Sequence, residues 1–189
     1  MLTVILIGGN SRRMGRDKAL LPFEGGTFIS SLTERYKTLG NVAVSVDIAG
    51  RFDCEGAVEL VDKFPGKGPL NGLYSAFSET DEEYVFLTAT DIPFGDAGLA
   101  EYLAHGLNGY DACVIRRANG YVEPLFAAYS RSCFNEVRDF LTHDKRAARE
   151  LLEALNVRYI DESLLCRWDI NKILLNVNTP EDYRAVTED

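Results

Sequence analysis

Leu2-Thr3-Val4-Ile5-Leu6-Ile7-Gly8-Gly9-Asn10-Ser11-Arg12-Arg13-Met14-Gly15-Arg16-Asp17-Lys18 stands at the start of the chain and decides the reading of the fold. Leu2 to Ile7 is a short apolar, β-branched run, the pattern of a buried strand, and Gly8-Gly9 turns it into a loop. The eleven residues from Gly8 to Lys18 hold four cations and three glycines. Glycines let backbone N–H groups come close to a phosphate, and the cations could neutralise a polyphosphate. The loop is not a Walker A motif: five residues separate Gly9 from Gly15, and Lys18 is followed by Ala19. Nor is it a GxGxxG fingerprint, because Gly8 and Gly9 are adjacent. A surface turn with solvated charges is the competing reading.

Outward from this stretch, strands alternate with helices. Thr27 caps a helix with Phe28, Ile29, Leu32, Tyr36 and Leu39 on one face, and Gly40 ends it. Val42–Val46 and Val58–Val61 are the next strands, and Pro69 suits the first turn of a helix through Phe77. Tyr84–Thr90 is a strand that enters Asp91-Ile92-Pro93. Beyond it, Leu99–Leu103 reads as helix, Ala112–Ile115 and Leu125–Tyr129 as strands. Cys133, Phe134, Val137, Phe140 and Leu141 mark another helix face. Ala147–Leu155 is helical, Val157–Ile160 and Ile173–Asn176 are short strands, and Pro180 opens a final helix. Such alternation implies βαβ units, a mostly parallel sheet and helices on both faces. Ligands of these sheets sit beyond the carboxyl ends of the strands, so the loops after Ile7, Val61 and Thr90 carry the interest.

Composition bounds the function. The 189 residues are about one domain, and neither a linker nor a repeat divides them. Twenty basic against 29 acidic residues give a net charge of −9, which argues against a nucleic-acid partner. A local basic cluster can still hold a small anion. No apolar run reaches the roughly 18 residues of a membrane span, and no basic segment precedes the first apolar run. A soluble, cytoplasmic protein without membrane contact is expected. Cys54, Cys113, Cys133 and Cys166 form no CxxC pair, and His105 and His143 no HxxxH pair, so reduced structural thiols are expected rather than zinc.

Two carboxylates end strands of this sheet. Asp91, just past an apolar strand, suits Mg²⁺, a hard ion that takes oxygen ligands; a turn-initiating aspartate before Pro93 is the alternative. Asp62 ends its strand in the same way. Gly66-Lys67-Gly68-Pro69-Leu70-Asn71-Gly72 follows, with little side-chain bulk, either a platform for a flat base or an ordinary helix entry.

Leu6 to Lys18 resembles the LAGGxSxRMGxDK signature of molybdenum cofactor guanylyltransferases, the MobA family, with Ile7 where alanine is usual. Gly68-Pro69-Leu70-Asn71-Gly72 is similar to the family's GPLAG, Asp91-Ile92-Pro93-Phe94 to its DxPF and Glu123-Pro124-Leu125-Phe126-Ala127 to its EPLFA. Asn176-Val177-Asn178-Thr179-Pro180-Glu181-Asp182 is similar to its NVNTPEDL. The motifs keep the family's order over nearly the whole chain. The resemblance implies a single-domain, Rossmann-like, three-layer nucleotidyltransferase fold of GT-A-like type spanning residues 1–189. It implies transfer of GMP from GTP to the terminal phosphate of molybdopterin, with release of pyrophosphate and Mg²⁺ as the metal. By position, Leu6, Ile7, Gly8 and Gly9 line the guanine and ribose side, Lys18 contacts the phosphates, Asp62 contacts the nucleotide, and Asp91 holds Mg²⁺. Ser45, with Asp47 nearby, stands where some members carry asparagine, so this guanine-side contact is a shorter hydroxyl.

In-line attack of one phosphate on another requires that repulsion between anions be cancelled. Arg12, Lys18 and Asp91 are therefore the expected catalytic groups. Asn178 is expected at the second substrate or the metal, or as the cap of the helix from Pro180. A monomer is expected, in transient contact with molybdoenzymes or cofactor chaperones. Two other activities fit less well: a relative using CTP or a sugar phosphate, and a non-catalytic GTP-binding protein that delivers cofactor.

Overall fold

The computed structural model describes residues 1–7, 17–52, 55–64 and 66–187. Arg12, Gly8 and Gly9 lie outside the described residues. Strand β1 (Leu2–Leu6) is followed by a two-stranded ribbon, β2 (Pro22–Phe23) and β3 (Gly26–Thr27), and by helix α1 (Phe28–Tyr36). Thr27 caps α1 in a reciprocal box with Ser30, so the capping expected from sequence is present. Then come β4 (Val42–Val46), β5 (Ala57–Val61), α2 (Leu70–Glu79), β6 (Tyr84–Ala89) and α3 (Ala97–His105). The second half holds β7 (Ala112–Arg116), β8 (Val122–Ser130), α4 (Phe134–Thr142), α5 (Ala148–Ala154), β9 (Val157–Asp161), α6 (Ile170–Ile173) and α7 (Pro180–Thr187).

Seven strands form one sheet in the order β5-β4-β1-β6-β8-β7-β9. All run in one direction except β8, which pairs antiparallel with both β6 and β7. The exception is local in origin: β7 and β8 are joined by a tight turn in which Gly120, at φ 80°, supplies the left-handed conformation a hairpin needs. The mostly parallel sheet with helices on both faces is as expected.

The strands are apolar on both sides because both sides are covered. Leu2, Val4 and Leu6 of β1, with Val85 and Leu87 of β6, pack beneath α2, α4 and α5. Ile5 and Phe86 point the other way and meet Leu32 and Tyr36 of α1 and Leu99 and Leu103 of α3. Each large side chain buried this way stabilises the fold by about 1.5–3 kcal/mol relative to exposure.

One expected strand is absent. Ile173–Asn176 does not pair with the sheet; Ile170–Ile173 is instead the short helix α6. Asp169 accepts the Lys172 N–H at 3.1 Å, and Ile170 and Ile173, three apart, both enter the core beside α3. Helical spacing of two isoleucines and a capping aspartate outweigh the β-branched composition. No helix among the described residues is long and apolar enough to cross a membrane.

Candidate active site

The carboxyl ends of β1, β4, β5 and β6 open into one cleft of about 440 Å³, whose lining includes Leu6, Ile7, Ser45, Asp62, Gly68 and Asp91. Leu6, Ile7, Ser45, Asp62 and Asp91, five of the site residues expected from the sequence, therefore meet in one place, together with Gly68. Their convergence follows from the strand order, since β4, β1 and β6 are neighbours and their carboxyl ends point the same way.

On one wall Ser45 leaves β4 and its hydroxyl donates to Asp62 Oδ1 at 2.7 Å. Burial raises the pKa of Asp62 and the Ser45 hydrogen bond opposes it; nearby Asp47 raises it further and Asn71 lowers it. The Ser45 hydroxyl hydrogen is thus committed to Asp62, and the bond fixes the orientation of that carboxylate. Helix α2 comes unusually near this wall. A Cβ on Gly72 would lie 2.5 Å from Leu6 Cδ2 and 3.0 Å from Ser45 Cβ, so only glycine fits without a shift. Sequence reasoning missed what fastens α2 there. The fully buried Asn71 amide donates to the Phe64 carbonyl at 2.7 Å, and its oxygen accepts the Phe64 N–H at 3.0 Å. A buried side-chain amide that mimics a strand partner carries no periodicity, so only its place in the Gly-Pro-Leu-Asn-Gly stretch pointed to it.

The other wall carries Asp91, and Lys18, which is not among the residues lining the cleft, stands behind it within reach of the aspartate's charge. Lys18 is only 9% exposed and its ammonium donates to the Val177 carbonyl. The Val177 N–H in turn donates to the Asp91 backbone carbonyl at 2.9 Å. One residue of the C-terminal segment thus ties the lysine to the loop of the aspartate. Burial pulls the Lys18 ammonium below its ordinary pKa, and the carboxylates of Asp91 and Asp182 pull it back. Burial raises the pKa of Asp91, while Lys18 lowers it. Asp91 Oδ1 is buried and has no hydrogen-bond partner among the described residues. An orphaned buried carboxylate oxygen facing a cleft is a fit for a divalent cation, because a charge so placed is costly unless compensated. Among the described residues no three acidic, histidine or cysteine side chains cluster as a metal cage. One carboxylate completed by substrate phosphates and water is the usual binding mode of Mg²⁺.

Asn178 is exposed at the start of α7. It does not cap that helix. Thr179 accepts the Asp182 N–H at 3.1 Å, and Asp182 accepts the Asn178 and Thr179 N–H groups at 2.8 and 2.9 Å. The Thr-x-x-Asp pattern supplies the cap on its own. Glu123 is a further buried carboxylate near the cleft. Its pKa is raised chiefly by burial; Arg117, at 3.8 Å, opposes this and Asp91 adds to it.

Compared with known families, residues 3–159 match the MobA-like NTP transferase domain. The chain belongs to the MobA-like NTP transferase family. It is 34% identical over 187 residues to a probable molybdenum cofactor guanylyltransferase of Carboxydothermus hydrogenoformans, covering 98% of this chain and 94% of that one. A protein of the same description from Pelotomaculum thermopropionicum is 34% identical over 184 residues, covering 95% and 88%. Among solved structures, molybdopterin-guanine dinucleotide biosynthesis protein A of Archaeoglobus fulgidus superposes with a TM-score of 0.84 at 25% identity, covering 100% of this chain and 97% of that one. In this MobA-like transferase, Val177 lies beyond the stretch matched by the family domain, although it holds both Lys18 and Asp91.

Proposed function

We propose that this protein transfers GMP from GTP to the terminal phosphate of molybdopterin. A phosphate oxygen of molybdopterin forms a bond to the α-phosphorus of GTP, the bond from that phosphorus to the β-phosphate oxygen breaks, and pyrophosphate leaves. The observation that carries this reading is the meeting of buried Lys18 with Asp91 across Val177, beyond the carboxyl ends of parallel strands, where sheets of this kind take their ligands. The names of the relatives support the choice of substrates.

Lys18 offers a pre-positioned cation to phosphate oxygens in a site largely shielded from water, where such a charge is worth more than in solution. Asp62, held by Ser45, is an acceptor for nucleotide hydroxyl or N–H groups. Backbone groups of Leu6, Ile7, Gly8, Gly9 and Gly68–Gly72 are acceptors and donors for the edge of a base. Asp91 would hold Mg²⁺, which supplies charge neutralisation on the phosphates. Arg12 adds a second cation to the reacting phosphates, and Asn178 faces the second substrate. The protein works as a cytoplasmic monomer and meets cofactor chaperones or molybdoenzymes transiently.

The test is pyrophosphate release from GTP, ATP and CTP at equal concentration with Mg²⁺, with and without molybdopterin. Release is expected only with both substrates and fastest with GTP. A site built on hydrogen bonds rejects the wrong base because its own groups are left unpaired. Equal or faster turnover with CTP would move the protein to cytidylyl transfer. GTP binding without pyrophosphate release would make it a delivery protein.

A further inference from the structure

Between β4 and β5 the chain makes a small built device that the reaction described so far does not use. Arg51 lines the nucleotide cleft, and its guanidinium joins two carboxylates from different parts of the chain. One nitrogen meets Asp47 Oδ1 at 2.5 Å, just past the end of β4; another meets Asp17 Oδ2 at 2.7 Å, immediately before Lys18. Glu59 on β5 accepts the Gly50 and Phe52 N–H groups at 2.5 and 2.7 Å, pinning the backbone on both sides of Arg51. The guanidinium carbon sits 5.1 Å from the centre of the Phe52 ring, and that ring is buried against Ala19, Ile29, Val44 and Val46.

The receiving end is as specific. Asp17 divides its two oxygens: Oδ2 takes Arg51, and Oδ1 accepts the Ala19 N–H at 3.2 Å, capping the single 3-10 turn of Lys18–Leu20. Arg51 therefore reaches the lysine-bearing turn through its cap, and reaches the β4 end, which carries Ser45, through Asp47. A third of the Arg51 side chain is open to solvent, and ion pairs so exposed contribute little to stability. Their geometry is where the value lies, since a fork with two fixed partners transmits position.

We infer that Arg51 is a positioning residue for nucleotidyl transfer: through Asp17 it sets the turn that presents Lys18 to the phosphates, in register with the Ser45–Asp62 wall. The inference rests on the cleft being the nucleotide site. A misplacement of about 1 Å at a reacting geometry costs on the order of 10²-fold, so loss of the grip is expected to lower turnover tenfold or more.

The experiment is a double-mutant cycle with Arg51→Met, Asp17→Asn and the pair, plus Arg51→Lys. Asparagine keeps an oxygen for the Ala19 N–H and removes only the ion pair. Each variant is assayed for kcat and KM with GTP, for affinity towards Mg²⁺ and a fluorescent N-methylanthraniloyl-GTP, and for thermal unfolding. The expected result is a tenfold or greater loss of kcat in both single variants and no further loss in the pair, because one linkage has been cut twice. Affinity for the probe changes less than kcat, melting temperatures stay within a few degrees, and Arg51→Lys recovers part of the rate. Losses that multiply in the pair overturn the inference, as does a loss confined to probe affinity in Arg51→Met, which would make Arg51 a direct nucleotide contact. Activity that falls only in step with the melting temperature makes the device a structural strap and overturns it too. A parent chain that does not bind the probe overturns both this inference and the nucleotide site; a parent that binds it leaves the site standing whatever the cycle gives.

Discussion

Replacing Gly72 with alanine sets two effects of opposite sign against each other. In an exposed helix the change would stabilise the protein by about 1 kcal/mol, because alanine loses less backbone entropy. Here the new methyl group would lie 2.5 Å from Leu6 Cδ2 and 3.0 Å from Ser45 Cβ and Oγ. Carbon atoms in contact stay about 3.5–4.0 Å apart. The Leu6 methyl is the far end of a flexible side chain that lines the cleft, so it can turn aside. The Ser45 Cβ cannot swing, because it is fixed to the backbone of β4, which is hydrogen-bonded to β1 and β5. Helix α2 must then retreat from the sheet by several tenths of an ångström, and overpacking of this kind costs about 1–3 kcal/mol. The net expectation is a loss of about 0–2 kcal/mol, read as a lower urea midpoint at unchanged m-value. The same retreat disturbs the 2.7 Å bond from Ser45 to Asp62, so kcat/KM for GTP should fall on the order of tenfold even in folded protein. A variant stabilised by about 1 kcal/mol that turns over normally would refute the reasoning.

Lys18→Ala removes one pre-positioned cation and should cost on the order of 10²–10³ in rate, about 2.7–4 kcal/mol, with near-normal turnover excluding the assignment. Asp91→Asn should abolish Mg²⁺-dependent turnover without lowering the melting temperature at pH 7. The folded pKa of Asp91 is raised by burial, so its stabilising contribution is complete below the unfolded value and lost as pH rises through the folded one. Asparagine should therefore be tolerated or stabilising at neutral pH and give no gain in acid; a variant that unfolds at neutral pH would make Asp91 a structural turn residue. Cys113 and Cys133 are fully buried, and burial pushes the Cys113 thiol up to about 11. Exposed Cys166 should be labelled by a thiol reagent well before either of them, and early modification of Cys113 would contradict the packing.

The fold was legible because its strands are buried on both faces and so read as uninterrupted apolar runs, while Gly, Pro and Thr27 mark the helix ends. The same logic misread Ile173–Asn176, where isoleucine composition suggested a strand and the Asp169 cap made a helix turn. The site was legible at Asp62 and Asp91, because a carboxylate ending an apolar strand has few places to point but the crevice. Asn71, Glu123 and Arg51 were not, since each depends on partners that no helix or strand spacing predicts: Asn71 on Phe64, Glu123 on Arg117 and Asp91, Arg51 on Asp17. Asn178 shows the limit of a motif read letter by letter, because the cap that was one expectation for it comes from Thr179 and Asp182.

The contact from Lys18 to Val177 spans 159 positions of the chain. During synthesis at roughly 5–20 residues per second, about 8–30 s pass between the appearance of the lysine and that of its anchor. The sheet strands β1, β4 and β6 can pair long before that. A nascent chain thus pairs these strands first and gains the hydrogen bond from Lys18 to Val177 only once residue 177 has been made. A chain cut before residue 177 would keep β1, β4 and β6 paired but lack the carbonyl that accepts from Lys18 and the N–H that donates to the Asp91 backbone carbonyl.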